Sequence, residues 1–144
     1  MLIISHRGNI DGSNPELENN PEYIGQALSA GFDVEADLWV VGGECFLGHD
    51  KPQYAIPYKF LFTKGLWLHC KNLAAIYTLL DTNIPVWFFH QTDDFALTSN
   101  GYIWTYPGRK LTQRSIAVQL DGNILGKENV YGVCTDYPFK VKSL

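Results

Sequence analysis

The sequence predicts an α/β fold, either a shrunken α/β barrel or an open α/β sheet. Three features carry that expectation. Short apolar strands recur with polar loops and helical patterns between them, which implies βα units, a mostly parallel sheet and helices outside it. Seven segments have strand character, too few for a full barrel. The chain has 144 residues, whereas a complete eight-fold barrel takes about 250. That length fits a single domain over residues 1–144.

The elements follow in order. Residues 2–5 (Leu-Ile-Ile-Ser) form a short buried strand, and a polar loop spans 8–20. Asn20 is a good N-cap, and Pro21 stands at the first helical position, where a missing N–H is harmless. Tyr23, Ile24, Ala27 and Leu28 give this helix an apolar stripe, and Gly31 ends it. The next strand runs over 32–40. Gly42-Gly43 is a hairpin turn that returns through 44–47. Pro52 and Pro57 make 51–64 a loop with one helical turn around 58–63. Residues 66–70 are a strand. Residues 72–81 are a helix, with Leu73, Ile76, Tyr77 and Leu80 at i, i+3, i+4 and i+7 as its apolar stripe. Further strands fall at 86–89, 102–106, 116–119 and 130–134.

Composition excludes several classes. Eleven basic against fifteen acidic residues give a net charge of -4, so no counterion-release surface for nucleic acid is expected. No uncharged apolar stretch approaches the roughly 20 residues of a membrane span. The start of the chain lacks the basic n-region of a signal peptide. Cys45, Cys70 and Cys134 are dispersed and match neither a disulfide framework nor a zinc knuckle. They read as small core residues in a reducing, cytoplasmic setting.

The polar residues are more informative. His6, His49, His69 and His90 all fall at or just after the C-terminal ends of predicted strands, the end at which parallel α/β folds bind ligands. In residues 32–38, side chains alternate faces: Val34, Ala36 and Leu38 on one, Asp33, Glu35 and Asp37 on the other. With the apolar face under helices, three carboxylates face inward together. That costs several kcal/mol per ion unless something compensates. One divalent cation is the economical compensation: Mg²⁺ or Ca²⁺ first, Mn²⁺ next. A wet acidic edge strand is the alternative, and the apolar opposite face argues against it. Trp67, His69 and Lys71 share a face on the strand over 66–70. Lys71 beside a metal implies an anion between them, which Arg7 would grip bidentately. Two cations, a metal and flanking histidines describe a phosphoryl-transfer site. The bland readings are kept for His90 as polar loop and for Trp104 and Tyr106 as core or rim aromatics. Asp50 braces His49, and Asp136 orients a histidine or a metal-bound water.

At this point the sequence resembles the glycerophosphodiester phosphodiesterase family. His6-Arg7-Gly8, Glu18-Asn19-Asn20, Glu35-x-Asp37 and His49-Asp50 occur in the order and approximate spacing of that family's His-Arg-Gly, Glu-Asn-Thr, Glu-x-Asp and His-Asp. Gly132 to Pro138 resembles its final strand, which ends in Thr-Asp-x-Pro, and residues 102–105 its penultimate strand. The resemblance implies a reduced or incomplete (β/α) TIM-type barrel, of the phosphatidylinositol-phospholipase-C-like kind, with fewer than eight full βα units. It implies a metal-dependent phosphodiesterase of lipid metabolism, hydrolysing a glycerophosphodiester-like small phosphodiester. His6 and His49 take the catalytic pair positions, Glu35 and Asp37 two metal-ligand positions, and Arg7 and Lys71 the phosphate-contacting positions. Glu18 and Asn19 match the loop that braces the site.

Three departures stand out. The family's third metal ligand is an acid two residues before a lysine, and here that position is His69, whose imidazole suits Mn²⁺ or Zn²⁺ better than Ca²⁺ or Mg²⁺. Asn20 replaces a threonine, which is mild because both cap helices. The region between Phe89 and Tyr102 is short, as if one or more βα units of the substrate pocket were lost. A lost unit leaves sheet edge that a second copy of the chain would cover, as a homodimer. The competing expectation is a phosphate-ester-binding module without catalysis. Retention of both histidines and both carboxylates argues against it, since binding alone needs no acid–base pair.

Overall fold

Residues Leu2–His6 form β1, and β1 lies at the middle of the sheet, between the strand that follows it and the last strand of the chain. This is seen in a computed structural model that describes residues 1–124, 126 and 129–144. The remaining elements are α1 (Pro21–Ser29), β2 (Asp33–Val41), β3 (Glu44–Leu47), β4 (Tyr54–Ile56), a 3-10 turn (Tyr58–Phe62), β5 (Leu66–Cys70), α2 (Leu73–Leu80), β6 (Trp87–Phe89), β7 (Phe95–Leu97), β8 (Ile103–Thr105), β9 (Ser115–Val118), β10 (Gly132–Thr135) and α3 (Pro138–Lys142). Parallel pairing runs through β6-β5-β2-β1-β10-β9-β8. The hairpin strand β3 adds antiparallel to the C-terminal half of β2, β4 adds antiparallel to β3, and β7 adds antiparallel to β8.

The barrel of alternating βα units is therefore not what this chain builds. It forms a curled, mixed ten-stranded sheet, a half-barrel, with three helices among the described residues. The correction also removes the phospholipase-C-like barrel that the resemblance implies. Its physical cause is in the connections. After β2 the chain turns back at Gly42-Gly43 instead of crossing over in a helix. Between β8 and β9 the link carries Pro107-Gly108, which cannot propagate a helix. The edges of the curl approach each other at one point: the Ser99 N–H donates to the Trp87 carbonyl at 2.8 Å, and the Trp87 N–H to Ser99 Oγ at 2.9 Å.

Alternation in β2 sorts two cores. Val34, Ala36 and Leu38 pack with Ile24 and Ala27 of α1 and Ala75 and Leu79 of α2 on the outer side. Ile4, Trp67, Phe88, Trp104, Ile116 and Cys134 fill the inside of the curl. All three cysteines are free and buried, as expected of core residues. Burial pushes the Cys70 thiol up to about 12, so it stays protonated and inert. No helix among the described residues is long and apolar enough to cross a membrane.

Helix α1 forms as its sequence dictates: the Glu22 N–H donates to Asn20 Oδ1 at 2.8 Å, and Pro21 opens the first turn. Helix α2 forms where expected but is turned around. Of its predicted stripe, Ile76 packs partly buried against the core, but Leu73, Tyr77 and Leu80 face solvent at 79%, 75% and 58% exposed, while Ala75 and Leu79 are buried. Asn72 sets this rotation. Its Oδ1 caps Ala75 N–H at 3.0 Å while its Nδ2 donates to the Val40 carbonyl at 2.9 Å, so the helix is pinned to β2 from its first residue. Strands β4 and β7 and helix α3 lie in segments where the sequence pattern predicts none. The two strands have three residues each and exist through their antiparallel partners.

Candidate functional site

The site begins at the end of β1, where the backbone turns sharply. Among the described residues, Arg7 and Asn19 are the non-glycine residues with positive φ, 54° and 65°, and both reach Asp37. Backbone bonds hold them there: Arg7 N–H donates to Glu35 O at 2.9 Å, and Asn19 N–H to Arg7 O at 3.0 Å. Left-handed backbone at such residues costs about 1 kcal/mol or more each and persists only where surroundings fix it. Gly8 follows with φ 92°, and a Cβ there would lie 2.9 Å from the Tyr23 ring and 3.2 Å from the Ile24 nitrogen of α1. The loop thus fits closely onto α1 and turns Arg7 back over the sheet.

Asp37, fully buried, is the hub. Asn19 clasps it twice: Nδ2 donates to Asp37 Oδ2 at 2.9 Å, and the Asp37 N–H donates to Asn19 Oδ1 at 2.9 Å. Arg7 Nε lies 3.0 Å from Oδ2, His69 Nδ1 3.0 Å and Lys71 Nζ 3.5 Å from Oδ1. Burial alone would raise the Asp37 carboxyl. Contact with His69 and the charges of Arg7 and Lys71 outweigh it and hold the group well below the usual carboxylate range. Arg7 is shared with Glu18, whose Oε2 accepts from its guanidinium at 3.1 Å. Burial of Glu18 would raise it, but bonds from Asn9, Ser13 and Arg7 lower it instead.

Glu35, Asp37 and His69 each offer a ligand atom, and these atoms all lie within 4.8 Å of one another. They sit on adjacent strands, Asp37 directly across from His69 in the β2·β5 ladder. Glu35 Oε2 is buried with no hydrogen-bond partner, whereas Asp37 Oδ1 has His69 and Lys71 as ion-pair partners. An orphaned buried carboxylate oxygen beside a second carboxylate and an imidazole is what a divalent cation would satisfy, so the residues present fit a metal. The third acid of the expected trio does something else. Asp33 accepts the Trp67 indole N–H at 2.9 Å, which takes it out of the cluster.

Without a metal, His69 answers the charge. Burial would lower its pKa, but contacts with Asp37 and Glu35 raise it to about 9. A folded-state pKa above the unfolded 6.5 stabilises the protein fully below pH 6.5, and the gain is lost as pH rises through 9. In chelator, the stability of the protein is expected to fall by about 3 kcal/mol between pH 6 and pH 10 on this account. Urea midpoints that stay level over that range would count against the protonated His69.

His6 closes one side of the centre. Its Nδ1 donates to Asp136 Oδ1 at 2.7 Å, and the same oxygen accepts from Asn9 Nδ2 at 2.8 Å. Burial lowers the His6 pKa, but the Asp136 bond and the Glu35 charge prevail and raise it. Because Asp136 takes the Nδ1 proton, Nε2 is the ring nitrogen left for a ligand. His49 lines the same cavity as His6, its side chain 45% exposed, with Nδ1 2.8 Å from Asp50 Oδ1.

All four histidines line one cavity of about 720 Å³ together with Arg7, Glu35 and Lys71. Its other wall is Trp104, Tyr106, Pro107, Val118 and Leu120. His90 lies in a loop and Trp104 and Tyr106 at the inner core and its rim, as the sequence suggests, and all three also line the cavity. His90 stacks on Tyr106 with ring centroids 3.9 Å apart. Asn9 is the site residue that sequence reasoning misses. It is fully buried and bridges Glu18 to Asp136, and a polar residue directly after His-Arg-Gly is its only sequence signal. No family model, no curated protein and no solved structure matches this chain.

Proposed function

We propose that the protein is a metal-dependent phosphodiesterase acting on a small, glycerophosphodiester-like phosphodiester. One observation carries this reading: His6, His49, Arg7, Lys71, Glu35 and His69 line a single cavity, and Asp37, buried behind it, completes a trio with Glu35 and His69 that could hold a metal ion. Glu35, Asp37 and His69 would hold the ion. When bound, a divalent ion supplies Lewis-acid polarisation of the phosphate. Arg7 and Lys71 hold non-bridging oxygens, and both are already anchored on Asp37, which keeps them aimed at low entropic cost. His6, held by Asp136, takes the proton from the nucleophile, either water or a hydroxyl of the substrate. His49, more exposed at the rim, gives a proton to the leaving alkoxide. The aromatic wall packs on the ester substituents.

The resemblance in Glu18-Asn19, Glu35-x-Asp37 and His49-Asp50 supports this chemistry, although the sheet around it is differently built. A chromogenic phosphodiester such as bis(p-nitrophenyl) phosphate, offered with each of several divalent metals, tests the reading. Turnover is expected with at least one metal and is abolished by chelator. Phosphate-ester binding without turnover under any metal would instead support a binding module that has lost catalysis.

A further inference from the structure

His69 differs from the other ligating residues in how it is held. Its Nε2 lies 3.1 Å from the backbone carbonyl of His90. A carbonyl oxygen only accepts, so Nε2 carries the proton. In the neutral ring, Nδ1 then bears the lone pair, and Nδ1 is the atom 3.0 Å from Asp37 Oδ1 and 3.6 Å from Glu35 Oε1. Parallel stacking on Phe88, with centroids 4.9 Å apart and planes 6° apart, fixes the ring plane. Orientation, tautomer and donor atom are thus all set by groups outside the centre, the arrangement that protein metal sites use to tune a ligating imidazole. The oxygens nearest Nδ1 are Asp37 Oδ1 and Glu35 Oε1, and the other Glu35 oxygen, Oε2, is buried without a hydrogen-bond partner.

We infer that this centre is built for a transition ion, Zn²⁺ or Mn²⁺, in preference to Mg²⁺ or Ca²⁺, and that His69 Nδ1 is the selecting ligand. Mg²⁺ and Ca²⁺ gain little from an imidazole that replaces an oxygen ligand. Zn²⁺, a borderline ion, binds imidazole well, and Mn²⁺, though it favours oxygen, accepts a mixed nitrogen and carboxylate set more readily than Mg²⁺ or Ca²⁺. Nitrogen sites favour transition ions in general, so the informative quantity is the change in preference when this nitrogen is removed. The inference rests on the proposed metal centre but not on turnover.

The test is calorimetric titration of the chelator-treated full chain with Mn²⁺, Zn²⁺, Mg²⁺ and Ca²⁺, alongside His69→Asp, with circular dichroism to confirm that the variant folds. The expected result is about one equivalent bound and a transition-ion preference that falls roughly tenfold or more in His69→Asp. Pulsed electron paramagnetic resonance of the Mn²⁺-loaded wild type should show ¹⁴N coupling that is lost in the variant. This second readout stands even if His69→Asp folds poorly, because the wild type must show the coupling. An unchanged preference in a folded His69→Asp, or no ¹⁴N coupling in the wild type, would overturn the inference. A folded wild type that binds none of the four ions overturns it together with the metal-dependent reading. The expected preference without cleavage of any phosphodiester overturns only the phosphodiesterase reading.

Discussion

Asp37→Asn is expected to lower the stability of the protein by about 3–5 kcal/mol and to abolish metal-dependent turnover, the largest combined effect of any single change at the site. The side chain is fully buried and faces Arg7, Lys71 and His69. Neutralising it leaves the cations of a mostly buried centre with Glu35 and Glu18 as remaining counter-charges. Turned toward Asn19 Nδ2, the amide's NH₂ loses that bond; turned toward His69, it faces the Lys71 ammonium, whose ion pair is lost. Urea denaturation with and without chelator reads the stability. A midpoint within experimental error of the wild type would remove Asp37 from its place as the hub.

His49→Ala is expected to reduce turnover by ~10²–10⁴-fold if this histidine protonates the leaving alkoxide. It is also a clean probe. The ring is nearly half exposed, and its contact is with the adjacent, exposed Asp50, so the fold has little to lose. Unfolding midpoints should stay within about 0.5 kcal/mol of the wild type. A substrate with a strongly acidic leaving group needs less protonation, so the loss should shrink there. Near-normal turnover of an alkyl ester by His49→Ala would refute the role.

Much of the site was legible because period-two alternation is a strict rule. Once residues 33–41 are a strand, Glu35 and Asp37 must share a face, and the ladder to β5 brings His69 beside them. The same rule could not tell Asp33 from its neighbours, because that depended on the Trp67 indole reaching it from another strand. Helix α2 shows the opposite failure. Its apolar stripe was real, but the helix face was chosen by Asn72 binding Val40, a contact 32 residues away that no local pattern encodes. The fold class was misjudged for a related reason. Apolar runs announce strands, yet whether a link crosses over or doubles back is decided by turns such as Gly42-Gly43 and by the three-residue strands those turns allow. Trp104 and Tyr106 read as core or rim aromatics and are so, but that a core's edge also walls a cavity depends on how the sheet curls, which no local pattern encodes.

The central place of β1 bears on how the site comes into being. His6 and Asp136 are 130 positions apart, and they meet because β1 pairs with β10. Ladders between such distant segments are slow to form, since a long loop must close before any contact rewards it. During synthesis Glu35, Asp37 and His69, the proposed ion ligands, and the cations Arg7 and Lys71 have all emerged once β5 and the residue after it are made. The partner that orients His6 arrives only with β10. A nascent chain would therefore hold the acidic and cationic cluster before the His6–Asp136 pair, with one side of β1 still an open edge. Completion of the cluster waits on the β1·β10 ladder.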